Sequence, residues 1–184
     1  MRKNIKDFQD IHHHCINPEN NRDKNRIVNL NHYEKVPSEG YYSIGIHPWK
    51  TSQMNISDID KAISEIACKA ENNNIVAIGE CGIDMLRGAN KELQEYAFRR
   101  QIELSEKLKL PLIIHMVKTS ADIIRLKKEL KPEQLWVIHG FRGKPELARQ
   151  LTQHGIGLSF GKLYNKQSFD IVDENLKFHE TDED

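Results

Sequence analysis

Nine histidines stand in a chain of 184 residues, and several of them close short apolar runs. His12 and His14 lie two apart in Asp10-Ile11-His12-His13-His14, so on an extended segment their side chains leave the same face and His13 leaves the other. Glu80 directly follows Ile75-Val76-Ala77-Ile78-Gly79. A carboxylate there is either solvated in a loop or held by a cation, because burying it unpaired is prohibitive. His115 ends Leu112-Ile113-Ile114 and His139 ends Val137-Ile138; each by itself also reads as a hydrogen-bonded structural histidine. Asp182 closes Glu180-Thr181-Asp182. As a set, His12, His14, Glu80, His115, His139 and Asp182 can hold two divalent ions if Glu80 bridges them, with positions left for water and substrate. Imidazole and carboxylate without thiolate suit Zn2+, Mn2+, iron or cobalt, and Mg2+ where water completes the shell. Such a pair of ions polarises a phosphoryl or carbonyl oxygen and generates hydroxide near neutral pH, which is hydrolytic chemistry. Glu80 and Asp182 are then the catalytic carboxylates, with Asp182 orienting the attacking water or accepting its proton.

Three further segments border this set. Gly140-Phe141-Arg142-Gly143-Lys144-Pro145 puts two cations, Arg142 and Lys144, beside a helix start, a phosphate cradle or an ordinary charged surface. His47-Pro48-Trp49 supplies His47 as a substrate contact, and the Trp49 ring either stacks a base or packs under a loop. Asp84 supports a metal ligand or forms a turn, and Cys81 reads as a small packing residue.

Residues so far apart in sequence meet only if regular elements deliver them to one place. Apolar runs bounded by polar or turn residues predict eight strands: Ile5–His13, Arg26–Leu30, Tyr41–His47, Ile75–Gly79, Pro111–His115, Leu135–His139, Ile156–Phe160 and Leu176–Glu180. Between them, a capping-box pattern opens a helix at Ser57 with Asp60. Others run from Lys91 to Lys109, from Thr119 to Leu130, and from Pro145 to a His154-Gly155 stop. Alternating strands and helices, with strands apolar throughout, predict an α/β fold with a parallel sheet buried on both faces. Eight strands suggest a compact (β/α)8 TIM-type barrel, with a flat doubly wound sheet as the alternative. Barrels typically need about 250 residues, so this one is compressed. The connections Cys15–Asn25 and Asn31–Gly40 are too short and polar for full helices, and no final helix follows Glu180. A missing final helix predicts an exposed apolar flank on the last and first strands.

Lys plus Arg and Asp plus Glu number 27 each, so no global field draws the chain to nucleic acid or an anionic membrane, and anion recognition must be local. No apolar run approaches the roughly 18–20 residues of a membrane span. The three cysteines, Cys15, Cys68 and Cys81, lack a pairing pattern and fit a reducing cytoplasm. Without a linker or low-complexity tract, residues 1–184 read as one domain.

The segments Asp10-Ile11-His12-His13-His14, Gly45-Ile46-His47-Pro48, Ile78-Gly79-Glu80-Cys81-Gly82-Ile83-Asp84, Pro111-Leu112-Ile113-Ile114-His115, Ile138-His139-Gly140-Phe141 and Glu180-Thr181-Asp182, in this order, resemble those of the TatD-type metal-dependent hydrolases of the amidohydrolase-like superfamily. The resemblance implies a (β/α)8 barrel, a divalent-metal site on the same six residues, and Mg2+-dependent deoxyribonuclease activity at DNA 3′ ends. Many relatives carry Cys-Phe-Ser-Gly where this chain has Gly140-Phe141-Arg142-Gly143, which puts a guanidinium near the substrate. Two other readings stand beside the nuclease: a metal-dependent hydrolase of a small ester, amide or phosphoester, and a metal-stabilised binding module without turnover.

Overall fold

The β-branched runs form strands, and the strands form one sheet. The computed structural model describes residues 2–14 and 23–182. Strands β1 (Asp10–His13), β2 (Arg26–Asn31), β3 (Tyr42–Gly45), β4 (Ile75–Asp84), β5 (Leu112–Val117), β6 (Trp136–Ile138), β7 (Ile156–Phe160) and β8 (Lys177–His179) lie in sequence order, and each pairs in parallel with the next. The last strand returns to the first. The Asp182 amide donates to the His12 carbonyl at 3.1 Å, and the Thr181 hydroxyl donates to Asp10 at 2.6 Å. The expected barrel is therefore present and nearly closed: β8 forms no ladder with β1, and bonds just beyond β8 bridge the seam.

Helices α1 (Ile56–Lys69), α2 (Lys91–Leu108), α3 (Ser120–Leu130), α4 (Pro145–Thr152) and α5 (Lys166–Ile171) follow β3 to β7 in turn. No helix separates β2 from β3, as the short polar connection requires, and none follows β8 among the described residues. The first connection lies largely outside the described residues.

Several boundaries differ from the sequence reading. Residues Ile5–Asp7 form a single 3-10 turn capped by Asn4, so β1 begins only at Asp10. The α1 cap is Asn55 with Asp58 in place of Ser57 with Asp60; the side chain of each residue accepts the other's backbone N–H. A 3-10 helix over Pro48–Gln53, capped by His47, and the six-residue α5 have periodicity too short to register in sequence. Strand β4 does not stop at Gly79 but runs on to Asp84.

Two apolar layers hold the fold. Ile11, Ile27, Val76, Ala77, Ile113, Val137 and Phe178 come from six strands around the sheet and pack on one another, which only the inside of a barrel allows. Ile5 and Phe8 join them at the amino-terminal end of the strands, closing the floor. Outside, α1 to α4 bury Ile66, Phe98, Leu126 and Leu151 against the strands. The expected apolar flank at β8 and β1 is corrected. No large exposed apolar side chain belongs to either strand, and the seam carries Asp10, His13, Arg26 and Thr181 in one polar network instead.

Candidate metal centre

The carboxyl ends of parallel barrel strands share one face, so a side chain at the end of each points into a common mouth. Glu80 occupies its centre. The β4–β5 register shifts between Ile78 and Cys81, and such a bulge re-aims a side chain. Glycines flank it for a physical reason. At Gly79 (φ 140°) a Cβ would lie 2.4 Å from the Ile113 carbonyl oxygen, and at Gly82 (φ 132°) 2.1 Å from that of His115. The close backbone approach of β5 thus presents Glu80 to the mouth. Asn29, from β2, accepts the Glu80 amide at 2.7 Å and holds the turn from the other side.

Five imidazoles surround the Glu80 carboxylate, which is only 2% exposed. Its Oε1 lies 2.7 Å from His115 Nδ1, 2.7 Å from His139 Nε2 and 3.1 Å from His47 Nε2. Its Oε2 lies 3.5 Å from His12 Nε2 and 3.6 Å from His14 Nε2. Asp182 Oδ1 stands 3.7 Å from both His12 and His14, and its Oδ2 3.7 Å from His139 Nδ1. The fold thus brings together all six residues that the sequence singles out as a ligand set. His13 turns away, to the Thr181 hydroxyl at 2.8 Å.

The donor set fits divalent cations. His12 is fully buried, yet neither of its ring nitrogens has a hydrogen-bond partner. Orphaned imidazole nitrogens facing two carboxylates are expensive unless a cation completes them. Three overlapping groups, His12/His14/Glu80, His12/His139/Asp182 and His47/Glu80/His115, each bring three ligand atoms within 4.8 Å of one another. Electrostatics agree. Burial opposes ionisation of Glu80, but His139, His115 and His12 outweigh it and hold the carboxyl well below the usual carboxylate range. Burial lowers His12, whereas His139, also buried, is pushed well above the usual imidazole range by Glu80 and Glu180.

His47 is better suited to donate than to ligate. Its Nδ1 accepts the Trp49 amide at 3.1 Å, so its proton sits on Nε2 and points at Glu80. Arg142 is exposed and borders the mouth cavity of about 400 Å3, with His14, His47, Glu80 and Asp182 also on its wall. Lys144 is exposed too but lies off that wall, at the cap of α4.

Residues 3–182 of the sequence match the family of TatD related DNases. The chain belongs to this family. An uncharacterized metal-dependent hydrolase of Buchnera aphidicola is 36% identical over 138 residues, covering 74% of this chain and 50% of that protein. A 3′-5′ ssDNA/RNA exonuclease TatD of Pantoea vagans is 34% identical over 131 residues, covering 70% and 48%. The chain spans about half the length of these curated relatives. Among solved structures, the TatD homologue YJJV of Escherichia coli superposes with a TM-score of 0.67 at 21% identity, over 85% of this chain and 66% of that one. A TatD family hydrolase of Entamoeba histolytica gives 0.68 at 22%, over 85% and 60%.

This TatD-type mouth has supports that apolar periodicity hides. Asp84 makes the contacts of both readings considered for it. Its Oδ2 faces His115 Nε2 at 2.9 Å and accepts the Trp49 indole N–H at 2.6 Å, while its Oδ1 accepts the Leu86 and Arg87 amides in the following turn. A carboxylate on the far nitrogen of a ligating imidazole fixes its tautomer and orientation. Gln94 and Gln101, one heptad apart on the buried face of α2, clamp the strand ends. Gln94 bonds both backbone groups of Asp84, and Gln101 both of Ile46. Two glutamines on a mostly apolar helix face were the available signal. Glu180 is buried and accepts the Gly140 amide at 2.6 Å, anchoring the loop that carries Arg142.

Proposed function

We propose that this chain is a metal-dependent phosphodiesterase that removes nucleotides from the 3′ ends of DNA. The observation that carries the reading is one buried carboxylate, Glu80, ringed by imidazoles with Asp182 beside it at the wall of an open cavity. Glu80, His12, His14, His115, His139 and Asp182 would hold two divalent ions, Mg2+, Mn2+ or Zn2+. Bound ions supply Lewis acidity and lower the pKa of water. Asp182, half open to the cavity, orients the attacking water and takes its proton. The water oxygen bonds to phosphorus, the P–O3′ bond breaks, and the chain left behind takes a proton on its 3′ oxygen. The Arg142 guanidinium neutralises the phosphate oxygens, His47 at the same wall turns its Nε2–H from Glu80 to donate a hydrogen bond to them, and Lys144 adds charge further out.

The nuclease reading is favoured over a small-ester hydrolase by relatives such as the Pantoea vagans exonuclease and by the exposed guanidinium at the wall. No helix among the described residues is long and apolar enough to cross a membrane. The unpaired Cys68 and Cys81 support a cytoplasmic setting, and residues 1–184 are taken to act as one domain. The test is release of mononucleotides from single-stranded DNA. It should require a divalent ion, stop in excess chelator, and fall by roughly three orders of magnitude or more in Glu80→Ala or His139→Ala. Undiminished cleavage in either variant overturns the reading.

A further inference from the structure

The two tryptophans of this chain have opposite fates. Trp136 is fully buried against Phe98, as a core ring should be. Trp49 is 41% exposed on the wall of the mouth cavity. An exposed indole beside a polar cavity has lost burial that a ring of its size would otherwise contribute, and such surfaces mark binding sites.

Its setting is that of a fixed platform. The indole N–H is tied to Asp84 at 2.6 Å, which immobilises the ring edge, and the Arg87 guanidinium lies over one face, so a base stacks on the indole either on the other face or by displacing that exposed side chain. The ring stands nearly perpendicular to His47 and His115, at centroid distances of 4.9 and 5.8 Å, and both histidines touch Glu80 Oε1. The platform is thus one side chain removed from the metal centre, within the span of a single nucleotide. The Arg87 guanidinium lies 4.4 Å from the ring centre, and the neighbouring Met85 and Leu86 are exposed at 50% and 63%. An aromatic face with a guanidinium and apolar side chains around it matches a flat, aromatic, polar-edged group attached to an anion.

We propose that Trp49 stacks the unpaired nucleobase adjoining the phosphate bound at the cavity wall beside Arg142 and His47. This rests on the nucleic-acid reading above and assigns one side chain to the single-strand preference that the name of the Pantoea vagans relative carries. A base already stacked and paired in a duplex must leave its neighbours before it can lie on the indole, so the platform selects single-stranded ends. Stacking is tolerant of base identity, because every base has a π-face.

The test uses the full chain with its divalent ions present and oligonucleotides whose phosphorothioate linkages resist cleavage, so that binding is read by itself. A short oligodeoxythymidylate should quench tryptophan fluorescence saturably, because Trp49 meets the base while Trp136 is sealed in the core. Trp49→Ala should weaken binding of the fluorescently labelled oligonucleotide by roughly 5- to 150-fold, the range of one aromatic–base stack. Trp49→Phe should keep most of the affinity and lose the quench, which separates stacking from any loss of folding. An abasic oligonucleotide and a blunt duplex should both compete poorly. Equal binding by the abasic strand, by the duplex or by Trp49→Ala overturns the inference, as does failure of the wild-type chain to bind the oligonucleotide. Metal-dependent cleavage that persists after such a result leaves the phosphodiesterase reading standing. Base-dependent quenching without cleavage under any metal sinks that reading and spares the platform.

Discussion

The floor and the mouth of this barrel are built by the same strands, a few residues apart, and they are opposites. Ile11 precedes His12, Ala77 precedes Glu80 by three, Ile113 precedes His115 by two, Val137 precedes His139 by two, and Phe178 precedes Glu180 by two. The first of each pair packs in the dry interior cluster. The second belongs to the polar mouth, where His12 and His139 keep buried nitrogens without partners. Position along a strand thus separates what holds the fold from what the fold holds. The floor minimises unsatisfied groups, whereas the mouth concentrates them where a cation and an anionic substrate can complete them.

This contrast can be broken most heavily at the floor. Phe178→Ala removes a ring from the interior cluster and should cost about 3–5 kcal/mol of stability. That corresponds to a fall of roughly 6–20 °C in the unfolding midpoint for a chain of this size. Added divalent metal should still raise the midpoint of the variant, because the ligands are untouched. A loss of the metal response in step with stability would show that the two regions are not separable.

The converse substitution is Asp84→Asn. It keeps a carbonyl for the turn amides of Leu86 and Arg87 but presents an amide where His115 and Trp49 meet a carboxylate. Metal affinity, read by calorimetric titration, should fall by roughly 10- to 100-fold. The midpoint of the metal-free protein should change little. A midpoint loss as large as that of Phe178→Ala would make Asp84 a fold residue, contrary to its place at the mouth.

The seam sits between the two regions and should give the smallest effect. Thr181→Val removes the hydroxyl that donates to Asp10 and meets His13, and should cost about 0.5–1.5 kcal/mol in denaturant unfolding. A neutral result would assign barrel closure to the backbone bond between Asp182 and His12 alone.

The boundaries that sequence misplaced share a cause. Asn55-x-x-Asp58 and Ser57-x-x-Asp60 are both plausible caps, and only the landing of the first α1 turn against the barrel chooses between them. Strand β4 reads as ending at Gly79 because glycine ordinarily interrupts a strand, yet here Gly79 and Gly82 keep β4 pressed against β5 while it bulges. Lys144 looked equivalent to Arg142 in sequence. Its backbone caps α4 and leaves its side chain off the cavity wall.

Apolar runs of β-branched residues, six of the eight closed by a histidine or acid, were enough by themselves to mark the eight strands, their parallel character and the six ligand candidates. Burial on both faces dictates composition residue by residue, and that signal is local. Tertiary structure alone decided which neighbours orient those ligands. Asp84 behind His115, Asn29 beneath Glu80, the glutamines of α2 and the exposed face of Trp49 all depend on contacts between distant segments. Polar partners are chosen by direction and distance in the folded chain, and neither is written in the order of the residues.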